Sequence, residues 1–162
     1  MNTATRAVTA AALAALAAGA AIPALTGAQA PGGREITVRE KVRSVKFVRA
    51  KASTKGDRLA TGDRVVTRQA LFDTANKPIG TLFTDCANLG LAAPVFKATL
   101  QCTVTYRFRD GQVVAAGQAD LKPGARVPII GGTGAYSLAR GEVQARAPVK
   151  GYDSVDVLRL AG

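Results

Sequence analysis

Between Val95 and Gly111 the chain reads VFKATLQCTVTYRFRDG. Phe96, Ala98, Leu100, Cys102, Val104, Tyr106 and Phe108 share one parity, and Lys97, Thr99, Gln101, Thr103, Thr105, Arg107 and Arg109 share the other. Successive side chains of a strand point to opposite faces, so this period predicts one long strand with an apolar inner face and a wet outer one. Asp110-Gly111 then supplies a hairpin turn, because both residue types tolerate left-handed backbone.

Outward from this strand the same period recurs. REITVREKVRSVKFV, from Arg34, puts Ile36, Val38, Glu40 and Val42 on one face. Val45 and Phe47 take the opposite parity, which predicts a bulge near Ser44. Lys51 to Asp63 is polar with glycines and reads as a loop. DRVVTRQALFD and PIGTLFTDCA read as strands around the turn TANKP, and NLGLAAP as a loop. After the hairpin, QVVAAGQA returns, Lys122-Pro123-Gly124 turns, and ARVPII, GEVQARA and SVDVLRLA follow. Eight strands in about 130 residues, with no helix long enough for a parallel crossover, predict an all-β, eight-stranded antiparallel β-barrel. An open sandwich is the rival. A closed barrel leaves no edge, and its interior either fills with side chains or holds one small ligand.

Met1 to Ala30 differs from the rest. Arg6 is its only charged side chain, followed by a small-apolar run from Ala7 to Leu25. This is the pattern of a secretory signal peptide over residues 1–30, with cleavage after Ala28 or Ala30 and a single domain over 31–162. No second apolar span follows, so no transmembrane anchor is expected, and the mature chain is expected to be secreted or associated with the cell envelope. It carries a net charge of about +10, since the formal +11 includes Arg6. An anionic envelope polymer is a partner of matching sign. Nucleic acid is not expected, because the charges form no block and there is no Trp for stacking. With no His and two Cys, histidine-based triads are excluded, and neither a metal site nor a cofactor is expected. In an exported chain Cys86 and Cys102 read as a disulfide, the alternative being a reactive thiol.

The stretch PIIGGTGAYSLARGEV, Pro128 to Val143, raises the question of a phosphate loop. No Lys follows Gly134 where a Walker loop needs one, and Ser137 stands where the dinucleotide fingerprint needs its third glycine. Gly131, Gly132, Gly134 and Gly141 are therefore assigned to a structural turn. With RDGQVVAAGQADL before it, this stretch resembles the allene oxide cyclase and dirigent superfamily, with its Gly-Gly-x-Gly, aromatic and closing Gly. The likeness extends loosely through NKPIGTLFTDCANLG and GDRLATGDRVV, and the paired cysteines resemble the exported bacterial barrel-like branch.

The resemblance implies a calycin-like eight-stranded barrel, often dimeric or trimeric, so a homo-oligomer is expected. It also implies a cavity site. Plant cyclases line theirs with a buried Glu on the first strand, two Asn, a Cys and an aromatic. Glu40 stands at the Glu position, Val42 replaces one Asn, and Asp63 stands near the other. Cys86 matches the Cys, but Cys102 is there to bridge it, and Ala119 replaces the aromatic. The plant activity is therefore not expected.

A carboxylate on an apolar face has its pKa raised unless something pairs with it, which suits a general acid or base. Glu40 and Asp63 are thus the expected catalytic pair at a barrel mouth, with Tyr106 and Val42 beside a ligand. The alternatives are a solvent-facing Glu40, or one paired with Arg68 or Arg107, and a Tyr106 that is plain core. Tyr136 is expected to plug the barrel end. Three functions stay open: a cofactor-free cyclase or isomerase, a carrier of a small apolar molecule, and a basic envelope protein with a filled barrel.

Overall fold

In the computed structural model, residues 33–50, 56, 58–119 and 122–161 are described; the expected signal peptide and cleavage positions lie outside them. The long strands are β1 (Arg34–Val48), β3 (Arg64–Phe72), β4 (Pro78–Asn88), β6 (Leu100–Phe108), β7 (Gly111–Ala119), β8 (Arg126–Gly134), β9 (Arg140–Arg146) and β10 (Ser154–Ala161). All pair antiparallel, in the order β1-β10-β9-β8-β7-β6-β4-β3, and β3 returns to β1 to close a barrel. The remaining two, β2 (Arg58–Leu59) and β5 (Ala93–Pro94), form a short ribbon at one end.

Turn chemistry fixes the hairpins. Between β3 and β4, the Asp73 carboxylate accepts N–H bonds from Ala75 and Lys77, and Asn76 adopts a left-handed φ of 65°. Such side-chain turns are what Asp and Asn supply. In β1 the register shifts between Val42 and Ser44, which is the bulge that the change of parity requires.

Three local expectations are corrected. The strand expected from Phe96 begins at Leu100: Val95–Lys97 is a 3-10 turn after Pro94, and Phe96 is 70% exposed. A short 3-10 turn can mimic alternation for one or two side chains. The polar stretch Lys51 to Asp63 was expected to be loop throughout, yet Arg58–Leu59 pairs with β5, and Leu59 is buried. The glycine stretch is not itself the turn. Strand β8 runs through Gly131 and Gly132 to Gly134, and the reversal falls at Ala135 to Leu138. Gly132 pairs with Val113, and a Cβ on it would lie 2.3 Å from the Gln112 carbonyl oxygen.

Apolar side chains pack one end solid. Ile36, Leu82, Phe108, Ala139 and Leu160 belong to this core, and Tyr136 lies over its end with its ring 5.4 Å from that of Phe108. A second cluster, Leu59, Val65, Val95, Ala98 and Leu100, gathers around Cys86 and Cys102 at the other end. Those cysteines are bonded, as directly opposed residues of β4 and β6 with Cα atoms 4.0 Å apart.

Two outcomes follow for stability. Gly134 has φ 60°, and a Cβ there would meet the Asp110 carbonyl oxygen at 2.3 Å. Gly134→Val should therefore lose more than about 1 kcal/mol in urea denaturation, because left-handed backbone is costly for a branched residue. Replacing Cys86 and Cys102 together with Ala opens a 16-residue separation and should lower stability by about 3 kcal/mol in the same assay.

Candidate functional site

The barrel interior is not filled. A cavity of about 620 Å³ occupies the half nearest the disulfide, opening where β1, β9 and the β7–β8 connection end. Val65, Leu82, Val104, Val127 and Val143 supply apolar wall, and Cys86 and Cys102 lie in it. Val42, Val45, Phe47 and Phe96 stand at the rim, part of the lining yet partly exposed.

Four polar side chains meet deep in this cavity. Glu40 is 2% exposed and lines it. In the β1–β10 ladder Glu40 opposes Ser154, and Val38 opposes Asp156, so both β10 side chains come beside the Glu40 carboxyl. The Ser154 hydroxyl donates to Glu40 Oε2. From β6, on the far side of the barrel, the Tyr106 hydroxyl donates to Asp156 Oδ2.

Glu40 Oε1 meets no donor among the described residues, although Asp156 is within hydrogen-bonding reach of the carboxyl. Two carboxyl groups can share a hydrogen bond only if one keeps its proton. Burial, then the Asp156 charge, holds Glu40 well above its ordinary 4.5, against the Ser154 bond that lowers it. Burial also raises Asp156, but the bonds from Glu40 and Tyr106 pull it back. Tyr106 is pushed well above 10 by burial and by both carboxyls. Burial thus raises both carboxyls, and with Asp156 beside it Glu40 holds its proton to higher pH than an exposed glutamate. A neutral acid backed by an anion can donate to a ligand oxygen and recover its proton afterwards.

The expected site residues separate. Glu40 and Tyr106 come together, through Asp156. Asp63 does not join them: its carboxylate accepts N–H bonds from Ala50 and Ala60 and pairs with Arg49 at 3.1 Å, holding the chain between β1 and β3. Its place near a family Asn made it look like part of the site; its partners are two backbone amides and the Arg49 guanidinium. Val42 lies at the rim, 42% exposed, with its N–H donated to Asp153. Arg68 and Arg107, the alternative partners for Glu40, sit on outward positions; Arg68 stacks on Phe83. Ala119, at the family's aromatic position, lines the cavity and leaves room there.

Sequence reasoning missed Asp156 and Ser154. The signal was present, since Ser154, Asp156, Leu158 and Leu160 share one parity, and an acid amid leucines is the same anomaly that singled out Glu40. Gln69 was also missed; it lines the cavity, and its buried Oε1 meets no donor among the described residues.

The profile of the allene oxide cyclase barrel-like domain matches residues 44–157. The chain belongs to that family. Among solved structures, a pyocyanin demethylase is similar at 21% identity and a TM-score of 0.64, covering 78% of this chain and 99% of the other. A pterocarpan synthase dirigent protein matches at 17% identity, TM-score 0.56, over 80% of this chain and 82% of its own. An exo-specific intermolecular Diels-Alderase matches at 15% identity, TM-score 0.55, over 81% and 99%. At these identities the likeness is one of fold. No curated protein matches the sequence.

The shared proton has a thermodynamic signature. A carboxyl whose folded pKa lies above its unfolded value binds more protons folded than unfolded, so stability falls as pH rises through that window. For Glu40 the loss begins near its ordinary 4.5 and runs upward. Glu40→Gln removes this contribution while its amide still donates to Asp156. Urea midpoints of the variant should fall less between acid and neutral pH than those of the parent, and at neutral pH should equal or exceed them.

Proposed function

We propose that this barrel-like protein is exported and binds a small, largely apolar molecule, and that it acts on it as a cyclase or isomerase. The observation that carries this reading is a buried Glu40 carboxyl, its Oε1 without a donor among the described residues, lining an apolar cavity of about 620 Å³. That volume is within the usual range for sites that enclose one small ligand. The leader-like first thirty residues and the disulfide support export.

Within such a cavity the walls hold the ligand folded, bringing reacting atoms together. Glu40 hydrogen-bonds a carbonyl or ether oxygen as negative charge develops there, and Asp156 stabilises the proton's position. Tyr106 keeps Asp156 in place. Ring closure or bond migration leaves the atoms of the ligand unchanged in number, so the proton lent by Glu40 returns to it and no cofactor is consumed. The carrier reading needs the same cavity but not its acid, and Glu40 is what favours chemistry. The similarity to a Diels-Alderase and a dirigent protein agrees with a cavity that shapes its ligand.

Two measurements test this. The fluorescence of N-phenylnaphthylamine should rise on adding the protein, and Thr84→Trp, which projects into the cavity, should suppress the rise. Incubated with a lipid-soluble extract of its own host, the parent should convert a component to an isomer of unchanged mass, seen as a new chromatographic peak. Glu40→Gln should lower that conversion by about a hundredfold or more, the usual worth of a general acid, while still binding the fluorophore. A parent that leaves the fluorophore dark contradicts ligand binding. Conversion unaffected by Glu40→Gln contradicts the role of the acid.

A further inference from the structure

The rim of the cavity does not resemble the rest of the barrel surface. Antiparallel order places the end of β1 and the β4–β6, β7–β8 and β9–β10 connections at one end. Each contributes exposed apolar side chains or cations. Val45 is 50% exposed on β1, Leu91 and Phe96 are 88% and 70% exposed between β4 and β6, and Val149 is 42% exposed between β9 and β10. Val45 and Phe96 also line the cavity, so at these two positions its apolar wall continues onto the outer surface.

Cations stand among them. Lys46, Lys97, Arg146 and Lys150 are exposed at this end, and none joins an ion pair among the described residues. The exposed carboxylates beside them are engaged: Asp85 is held by Arg64, and Asp153 accepts the Val42 N–H. At the packed end Arg159 pairs with Glu35 and Glu142, while Arg107 and Arg109 are exposed without an ion pair among the described residues, so the open end is set apart by its apolar side chains together with its cations. Leu138 is 87% exposed at the packed end but stands apart from the cavity.

We infer that the open end docks on an anionic lipid bilayer, so that an apolar ligand passes between membrane and cavity without crossing water. Apolar side chains rimmed by Lys and Arg are the pattern that enters a headgroup layer. Each cation near an anionic surface adds attraction that salt screens. Phe96 and Leu91 enter the interface, Val45 leads from it inward, and the four cations meet lipid phosphates. This rests on the small-molecule reading of the cavity and adds where the molecule comes from.

The test is co-sedimentation of the full mature protein with vesicles of phosphatidylglycerol and phosphatidylcholine in about equal parts. The parent should bind these, bind pure phosphatidylcholine vesicles at least tenfold more weakly, and be released by added salt. Phe96→Ser should lower partition roughly tenfold, the effect of withdrawing one buried aromatic side chain. Lys46→Gln with Arg146→Gln should remove most of the preference for the anionic vesicles. Leu138→Ser, at the packed end, should bind as the parent does. Phe96 lies on the surface of its turn, so circular dichroism and the thermal midpoint of Phe96→Ser should match the parent. Failure of the parent to bind, equal binding to both vesicles, or equal losses for Phe96→Ser and Leu138→Ser overturns the proposal. Fluorophore uptake measured without vesicles separates the two ideas: uptake without vesicle binding defeats docking alone, and no uptake defeats the ligand reading beneath it.

Discussion

The hydrogen bond from Tyr106 to Asp156 crosses the barrel from β6 to β10, and the division of the interior depends on it. Below it, towards Tyr136, the core is packed apolar matter. Above it the interior is open. A phenol reaching across the lumen needs an acceptor at its end, because a buried hydroxyl without one loses the water it gave up. A carboxylate at the same depth needs donors for the same reason. Each removes the cost of burying the other, and together they form a polar floor under an apolar chamber.

That floor then fixes the state of Glu40. Asp156 is occupied by Tyr106, so two ionised carboxyls side by side would meet both a like charge and poor solvation. Keeping the proton resolves both. The Glu40 carboxyl gives up its proton at higher pH than an exposed glutamate, and its Oε1, like that of Gln69, meets no donor among the described residues. The raised pKa of Glu40 is a consequence of packing two acids into one small floor, not of any single unusual residue.

The long strands were legible because their period is simple. Leu100 to Phe108 and Arg34 to Val42 alternate cleanly, one face is buried, and a slip by one residue would reverse every side chain. Phe96 misled because alternation alone does not distinguish the end of a strand from a 3-10 turn that happens to continue its phase. The glycine stretch misled in a different way. Gly131 and Gly132 are in the strand because neighbouring backbone comes too close for a Cβ at Gly132, while Gly134 supplies the left-handed residue at the strand's end. Composition gives both the same letter. At the site, Glu40 was readable from its apolar neighbours, but Asp63 was placed by likeness, and the bonds that determine its role come from the backbone of Ala50 and Ala60. What joins Glu40 to Asp156 is pairing between the first and last strands, and that closure of the barrel is set by the whole chain.

An open chamber gives up the packing that stabilises the other end, and the chain compensates where the loss occurs. Cys86 and Cys102 tie β4 to β6 in the chamber wall itself, adding a covalent link to the ladder between those strands. Leu59 and Val95 cover part of the opening from the β2–β5 ribbon side, and Asp63 gathers the backbone after β1 with Arg49. These supports leave the opposite part of the rim uncovered, with Val45, Phe47 and Phe96 exposed beside it. A barrel of this size can have both ends packed or one end open. Here Tyr136 closes one end, and the covalent bond allows the other to stay open without the strands separating.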